Sequence, residues 1–386
     1  MGKKDFFKIK MLHIITGLNT GGAEMMLYKL LSSMDRAAFE AGVVSLMDIG
    51  AVGNKIQELG IPVQALGMRR SMPSPLDILR LFYWLRENPP HCIQTWMYHA
   101  DLIGGLTAKL AGGIPVVWGI RHGNLDPQSS KRRTIWTTRV CARLSRWLPA
   151  RIICCSEASR QVHTEMGYTA SKMVVIPNGF DLAAFKPDPS ARAAVRKELG
   201  IPGEALLIGQ VGRFDPQKDH RNFIDAAARL HSCRHDIHFL LCGDRITQDN
   251  KDLSEWIKSA GISSCCHLLG RRNDIPRLTA SLDIASSSSY SEGSPNVIGE
   301  AMACGIPCVV TDAGDSALLV GETGKVVPPR NPRALAEAWR KLIEMGPEGR
   351  NQLGLAARHR VEEHFNLPLI VTRYEAIYEE IMGHMR

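Results

Sequence analysis

The sequence predicts an α/β protein built from two doubly wound, Rossmann-like domains that face each other across a cleft. Three features predict it. Short β-branched runs alternate with longer stretches of helical period, the alternation breaks once near the middle, and a last helical stretch lies beyond the second set. Strands that alternate with helices form parallel sheets covered on both faces. At roughly 150 residues per domain, 386 residues make two or three domains, each with room for a core.

The first strands are read at "MLHII", "AGVVSL", "CIQTW", "VVWGI", "RIICC" and "MVVIP"; the second set at "LLIGQVG", "IHFLLCG", "CHLLG", "DIASSS" and "CVVTD". Stretches such as "AEMMLYKLLSSM" and "RNFIDAAARLHS" are the covering helices. The break, "PNGFDLAAFKPDPSARAAVRKELGIPGEA", is rich in Pro, Gly and charge. It places the domain boundary near Lys186, giving an N-terminal domain 1–186, a second domain 187–367 and a C-terminal helix 368–386. Ligands of such sheets bind beyond the carboxyl ends of the strands.

Composition narrows the function. Hydrophobic content of 45% and charged content of 22% fit an ordinary globular protein. No apolar run approaches the ~18 residues of a membrane-spanning helix. The N-terminus reads as a cytoplasmic start into a first strand: its apolar stretch is short, no cleavage site follows, and Phe6 stands where myristoylation needs Ser or Thr. Ten cysteines sit mostly in apolar runs, as small hydrophobes of a reducing compartment. No metal site is expected. The net charge of +8 favours an acidic partner.

Three elements face phosphate. In "ITGLNTGGAEMMLYKLL" a strand ends at Thr16, and Gly21 and Gly22 precede a helix starting near Ala23, so backbone N–H groups can approach an anion. In "VGRFDPQKDHRNFIDAA", Arg213 and Lys218 follow a strand on an Asp215-Pro216 turn. The helix dipole disfavours cations there, which points to a diphosphate clamp. In "SEGSPNVIGEAMACGIPCVV", Pro295 suits the first helical position and Gly305 the C-terminal cap. Val297, Ile298, Ala301 and Met302 form the buried stripe, and Asn296 and Glu300 share the opposite face. Glu292 and the N–H groups of Gly293 to Asn296, Ser294 included, lie at the same end, where carboxylates can accept hydrogen bonds from sugar hydroxyls.

Together these elements resemble the family-4 retaining glycosyltransferases of the GT-B fold, over nearly the whole chain. The most specific part is Glu-x7-Glu, Glu292 to Glu300; "GRFDPQK", "TGGAE" and the interdomain "VVIPNGFD" follow the family's order. The resemblance implies transfer of a hexose from a nucleotide diphosphate sugar, UDP-sugar favoured over GDP-sugar, with retained configuration and no metal or other cofactor. It implies that the backbone at Gly21 and Gly22 faces the donor phosphates and that Arg213 and Lys218 hold the diphosphate. Glu292 touches the sugar, with Ser294, Pro295 and Asn296 beside it, and Glu300 binds the ribose. His122 in "GIRHGN" lies near the donor sugar, and Arg271 lies where backbone reads the base. It also implies a C-terminal helix that crosses back onto the N-domain. One departure is "LLCGDRI": many relatives continue Gly-x-Gly, and Arg245 stands in the last place.

Residues Lys131 to Arg151 hold seven Lys/Arg and no acid. Arg132, Arg139, Arg143 and Arg146 form one stripe, bordered by Trp136 and Trp147, with Val140, Cys141, Leu144 and Leu148 opposite. A solvated basic face and an anionic membrane surface both fit; in an enzyme of this class the stripe favours a membrane and a glycan acceptor carried on a lipid. The expected location is cytoplasmic, peripheral at the inner face of the cell membrane. No nucleic-acid-binding module accompanies the charge. The alternatives are a glycoside hydrolase, which has no use for a phosphate clamp, a nucleotide-sugar epimerase of the same fold, and a non-catalytic nucleotide-sugar-binding protein.

Overall fold

The computed structural model describes residues 8–68, 75–123 and 132–383; Phe6 and Lys131 lie outside the described residues. The chain forms two units, Met1–Gly179 with Leu367–Arg386, and Phe180–Asn366.

The first unit holds β1 (Ile9–Ile15), β2 (Phe39–Ser45), β3 (Val63–Ala65), β4 (Cys92–Trp96), β5 (Val116–Ile120), β6 (Arg151–Cys154) and β7 (Met173–Val175). Their order is β3-β2-β1-β4-β5-β6-β7, and every pairing among the described residues is parallel. Period-two alternation feeds two cores. Met11 and Ile15 join Trp96 on one face, and Leu12 and Ile14 join Trp118 on the other. The strands are largely apolar because helices cover both faces.

The second unit holds β8 (Leu206–Val211), β9 (Ile237–Cys242), β10 (Cys266–Leu268), β11 (Ile284–Ser287), β12 (Cys308–Thr311) and β13 (Gly324–Val327), in the order β10-β9-β8-β11-β12-β13. Leu207, Leu240 and Val310 enter one core, and Ile208, Leu241 and Val309 the other. Strand order reverses between β1 and β4 in the first sheet and between β8 and β11 in the second. These two points open crevices at the carboxyl ends of the strands.

The helix Leu367–Gly383 belongs to the first unit. Ile370, Val371, Tyr374 and Tyr378 are buried there beside Met11, Phe39 and Trp96. Burying each large side chain contributes about 1.5–3 kcal/mol. The Tyr374 hydroxyl also accepts from Arg121 Nη1 at 3.1 Å.

The first boundary falls before Phe180, earlier than the expected Lys186. Phe180 and Phe185 are core residues of the second unit. The Phe180 N–H donates to Phe365 O at 2.9 Å, and its ring fills the space beside Gly299, where a Cβ would lie 2.0 Å from the ring. The break in composition contains both anchors, and their burial, not the composition, sets where within it the boundary falls.

Candidate active site

The second crevice is built from the loops that follow β8 and β11. Asp215 opens a short 3-10 turn, Pro216–Lys218, by accepting from the Gln217 N–H at 3.0 Å. Asp219 (φ +46°) ends the turn and caps the helix His220–His231 by accepting from the Asn222 N–H at 3.3 Å. This double cap places Lys218 at the crevice. Its Nζ donates to Glu292 Oε1 at 2.5 Å, and Ser289 Oγ donates to the same oxygen at 2.6 Å. The Lys218 side chain is 23% exposed and that of Glu292 12%, so the pair is half-desolvated and strongly coupled. Ser288 Oγ lies 2.8 Å from Lys218 O and 2.9 Å from Asp219 O and Gln210 Oε1, which binds the two loops together. The serines of "SSSSY" were the visible signal: a polar run ending an otherwise apolar strand.

Arg213 stands one turn away, its Nε donating to Asp215 Oδ2 at 3.0 Å with 60% of its side chain exposed. Burial pushes Asp215 up, but the Gln217 N–H and the Arg213 guanidinium outweigh it and hold the carboxyl low. Behind the loop, burial drives His220 down to about 4 and keeps it neutral.

The Glu292 loop is held from below. A Cβ on Gly314 (φ +58°) would lie 2.4 Å from Glu292 O, and the Asp315 N–H donates to Gly293 O at 3.0 Å. The following helix is Asn296–Ala303, so Pro295 is its N-cap and not, as expected, its first helical residue. Gly305 (φ +72°) closes it in a Schellman motif: the Ile306 N–H donates to Ala301 O and the Gly305 N–H to Met302 O. Ile298, Ala301 and Met302 are buried, as is Gly299, while Val297, Asn296 and Glu300 are half-buried. Glu300 is therefore not a plain solvated acid. Ser294 is half-buried in the turn between Glu292 and the helix. Arg271 is exposed beyond β10, two strands away from β8 in the sheet order.

In the first unit, the helix Gly22–Ser33 starts with Gly21 as an extended N-cap (φ −163°). Neither glycine is needed for a left-handed turn. A Cβ on Gly21 would lie 2.3 Å from Glu24 Oε2, so a carboxylate already sits over this helix start, as the dipole favours. His122 is exposed at the end of β5, its ring stacked 5.9 Å from that of Tyr98. Tyr98 and His163 escaped sequence reasoning. Tyr98 is buried, with its hydroxyl 2.8 Å from His163 Nε2, and His163 Nδ1 lies 2.7 Å from Ser159 O. The carbonyl accepts, so Nδ1 carries the proton and Nε2 accepts from Tyr98. Burial lowers His163 to about 4 and keeps it neutral.

The helix Arg132–Leu144 exposes Arg132, Arg139 and Arg143, followed by Arg146, with Trp136 and Trp147 63% and 65% exposed; Cys141 is buried opposite. No helix of the described residues is long and apolar enough to cross a membrane. Among those residues, no three His, Cys, Asp or Glu side chains are grouped to hold a metal ion.

Both halves of the chain match glycosyltransferase families. Residues 20–184 match the model of Glycosyltransferase Family 4, and residues 191–360 that of Glycosyl transferases group 1. The chain belongs to the GT-B glycosyltransferases. This glycosyltransferase is 28% identical over 317 residues to a Bacillus subtilis (strain 168) protein named as a glycosyltransferase, EpsF, covering 79% of each chain. It is 28% identical over 253 residues to the UDP-Gal:alpha-D-GlcNAc-diphosphoundecaprenol alpha-1,3-galactosyltransferase of Escherichia coli, covering 63% of each. Its fold is similar to that of Anabaena Alr3699/HepE solved in complex with UDP, with a TM-score of 0.85 and 26% identity over 96% of this chain and 100% of that one. HepE has also been solved in complex with UDP-glucose.

Proposed function

We propose that this glycosyltransferase moves a hexose from a UDP-sugar to a glycan acceptor carried on a lipid, in surface polysaccharide or glycoconjugate synthesis, with retained anomeric configuration and without a metal. The observation that carries the reading is the Lys218–Glu292 pair, at the point where strand order reverses in the unit that matches the group 1 model. Lys218 and Arg213 hold the diphosphate. As the bond between the anomeric carbon and the phosphate oxygen breaks, they stabilise the charge that gathers on the leaving phosphate. The acceptor hydroxyl bonds the anomeric carbon on the face the phosphate leaves, and its proton passes to a phosphate oxygen. Glu292 accepts hydrogen bonds from sugar hydroxyls, beside Ser294, Pro295 and Asn296, and Glu300 from the ribose. Gly21, Gly22 and His122 serve the donor from the first unit, and the backbone at Arg271 meets the base.

A relative named for a diphosphoundecaprenol-linked acceptor supports the lipid carrier. The exposed arginines and tryptophans of residues 132–151 support a peripheral, cytoplasmic-face attachment to anionic membrane. The test is a panel of nucleotide sugars assayed for acceptor-stimulated nucleotide release, with the anomeric configuration of the product read by NMR. Release of free sugar without any nucleotide requirement, or donor conversion without acceptor, sinks the reading. Co-sedimentation with anionic vesicles at low salt tests the membrane attachment, and Arg139, Arg143 and Arg146 changed together to Glu should abolish it.

A further inference from the structure

Arg245 holds a backbone conformation that disfavours it. It follows β9 with φ +60°, in the left-handed region where a Cβ crowds the carbonyl and glycine is the low-cost residue. A strained non-glycine residue persists where its surroundings or its side chain compensate. The backbone is fixed from both sides: the Gly243 N–H donates to Gly270 O at 2.9 Å, and Asn250 Nδ2 donates to Arg245 O at 2.9 Å. Gly243 can carry no side chain, because a Cβ there would lie 2.1 Å from Gly212 O. The side chain of Arg245 turns onto the Arg213–Lys218 loop. Its Nη2 donates to Phe214 O, and its guanidinium lies 5.8 Å from the centre of the Phe214 ring. The centre of that ring also lies 5.6 Å from that of His220 and 5.8 Å from that of Trp256, and the Phe214 N–H donates to Asp244 O at 2.8 Å.

We propose that Arg245 is a positioning residue that latches the Arg213–Lys218 loop through Phe214 and so presents the two cations to the donor diphosphate. The proposal rests on the reading of that loop as the diphosphate clamp. Phe214 lies between Arg213 and the turn that carries Lys218, so fixing both its carbonyl and its ring fixes the directions of both cations. The guanidinium suits the task because its planar fork can donate to the carbonyl while its face covers an aromatic ring. The latch raises affinity by ordering the loop before the ligand arrives.

Arg245→Gly separates the side chain from the backbone, because glycine accepts φ +60° without strain. In the full-length protein its thermal midpoint should stay level or rise. Hydrogen exchange at the Phe214 and Lys218 amides should accelerate, and UDP should bind about tenfold more weakly by calorimetry. Arg245→Gln keeps a donor for Phe214 O and removes the charge; it should restore most of the protection and affinity. Unchanged exchange and affinity in the glycine variant overturns the latch. A glutamine variant with restored protection but the affinity of the glycine variant also overturns it, in favour of direct charge contact with the ligand. UDP affinity unmoved by Arg213→Ala and Lys218→Ala removes the clamp reading, whereas the exchange rates judge the latch by themselves.

Discussion

The carboxyl ends of the two sheets carry different chemistry on the same architecture. Beyond β8 and β11 stand Lys218, Glu292 and Arg213, half-buried or exposed, on loops that serine and glycine hold in place. Beyond β4 and β5 the groups are aromatic or locked. Trp96 Nε1 donates to His13 Nδ1 at 3.3 Å, and Arg121 is spent on Asn178 Oδ1 at 2.6 Å and on the Tyr374 hydroxyl. The second sheet keeps charges near water, where a ligand phosphate can compete for them. The first buries several of its polar groups in pairs and ties down the helix Leu367–Gly383. One end is built to exchange partners and the other to keep them.

The largest expected effect tests the rigid end. Tyr374→Ala removes a buried ring and the Arg121 contact, and should destabilise the first unit by about 3–5 kcal/mol, as large aromatic deletions do. A chemical-denaturation midpoint close to wild type would show that the helix Leu367–Gly383 contributes little. Next, Lys218→Ala should lower turnover by about 2.7–4 kcal/mol in barrier, the range for removing one preorganised charge-stabilising donor. Near wild-type turnover would erase the contrast between the two ends. Glu292→Gln should impair transfer more than it impairs UDP binding, and Glu300→Ala the reverse. Kinetics and calorimetry on both variants decide it, and swapped effects exchange the two roles.

The pH dependence of stability is a smaller effect and belongs mainly to the rigid end. Burial lowers His13 from 6.5 to about 3 and His163 from 6.5 to about 4. Below about pH 6.5 the unfolded chain takes up protons that these two refuse, so stability falls as pH falls through that window. Burial raises Asp101 from 3.8 to about 7, and it acts in the opposite sense: the unfolded carboxyl ionises first, and stability falls as pH rises between those values. Asp101→Asn should therefore steepen the loss of thermal midpoint between pH 6.5 and 4, and an unchanged slope would contradict the assignment. The smallest effect is none at all: chelation of divalent metal should leave transfer intact, and loss restored by Mg²⁺ or Mn²⁺ would require a metal beside the cations.

The sequence by itself determined what local spacing encodes. Alternating periods of two and 3.6 specified two parallel sheets, and cap residues specified turns: Asp215-Pro216 opened the Lys218 turn and Gly305 closed the helix before β12. Residue types near strand ends marked Lys218, Glu292 and Glu300 as candidates, and a polar serine run flagged the loop beneath them. The tertiary structure alone decided which of these meet. Lys218 and Glu292 are 74 positions apart and pair because β11 lies beside β8, an order set by crossovers that no periodicity records. The same holds for Tyr98 under His122 and for Arg245 on Phe214. Phe180 joins the second unit because Gly299 leaves room for its ring, a fit between distant positions. Periodicity is written in neighbouring residues, whereas pairing depends on strand order and on the space each side chain finds.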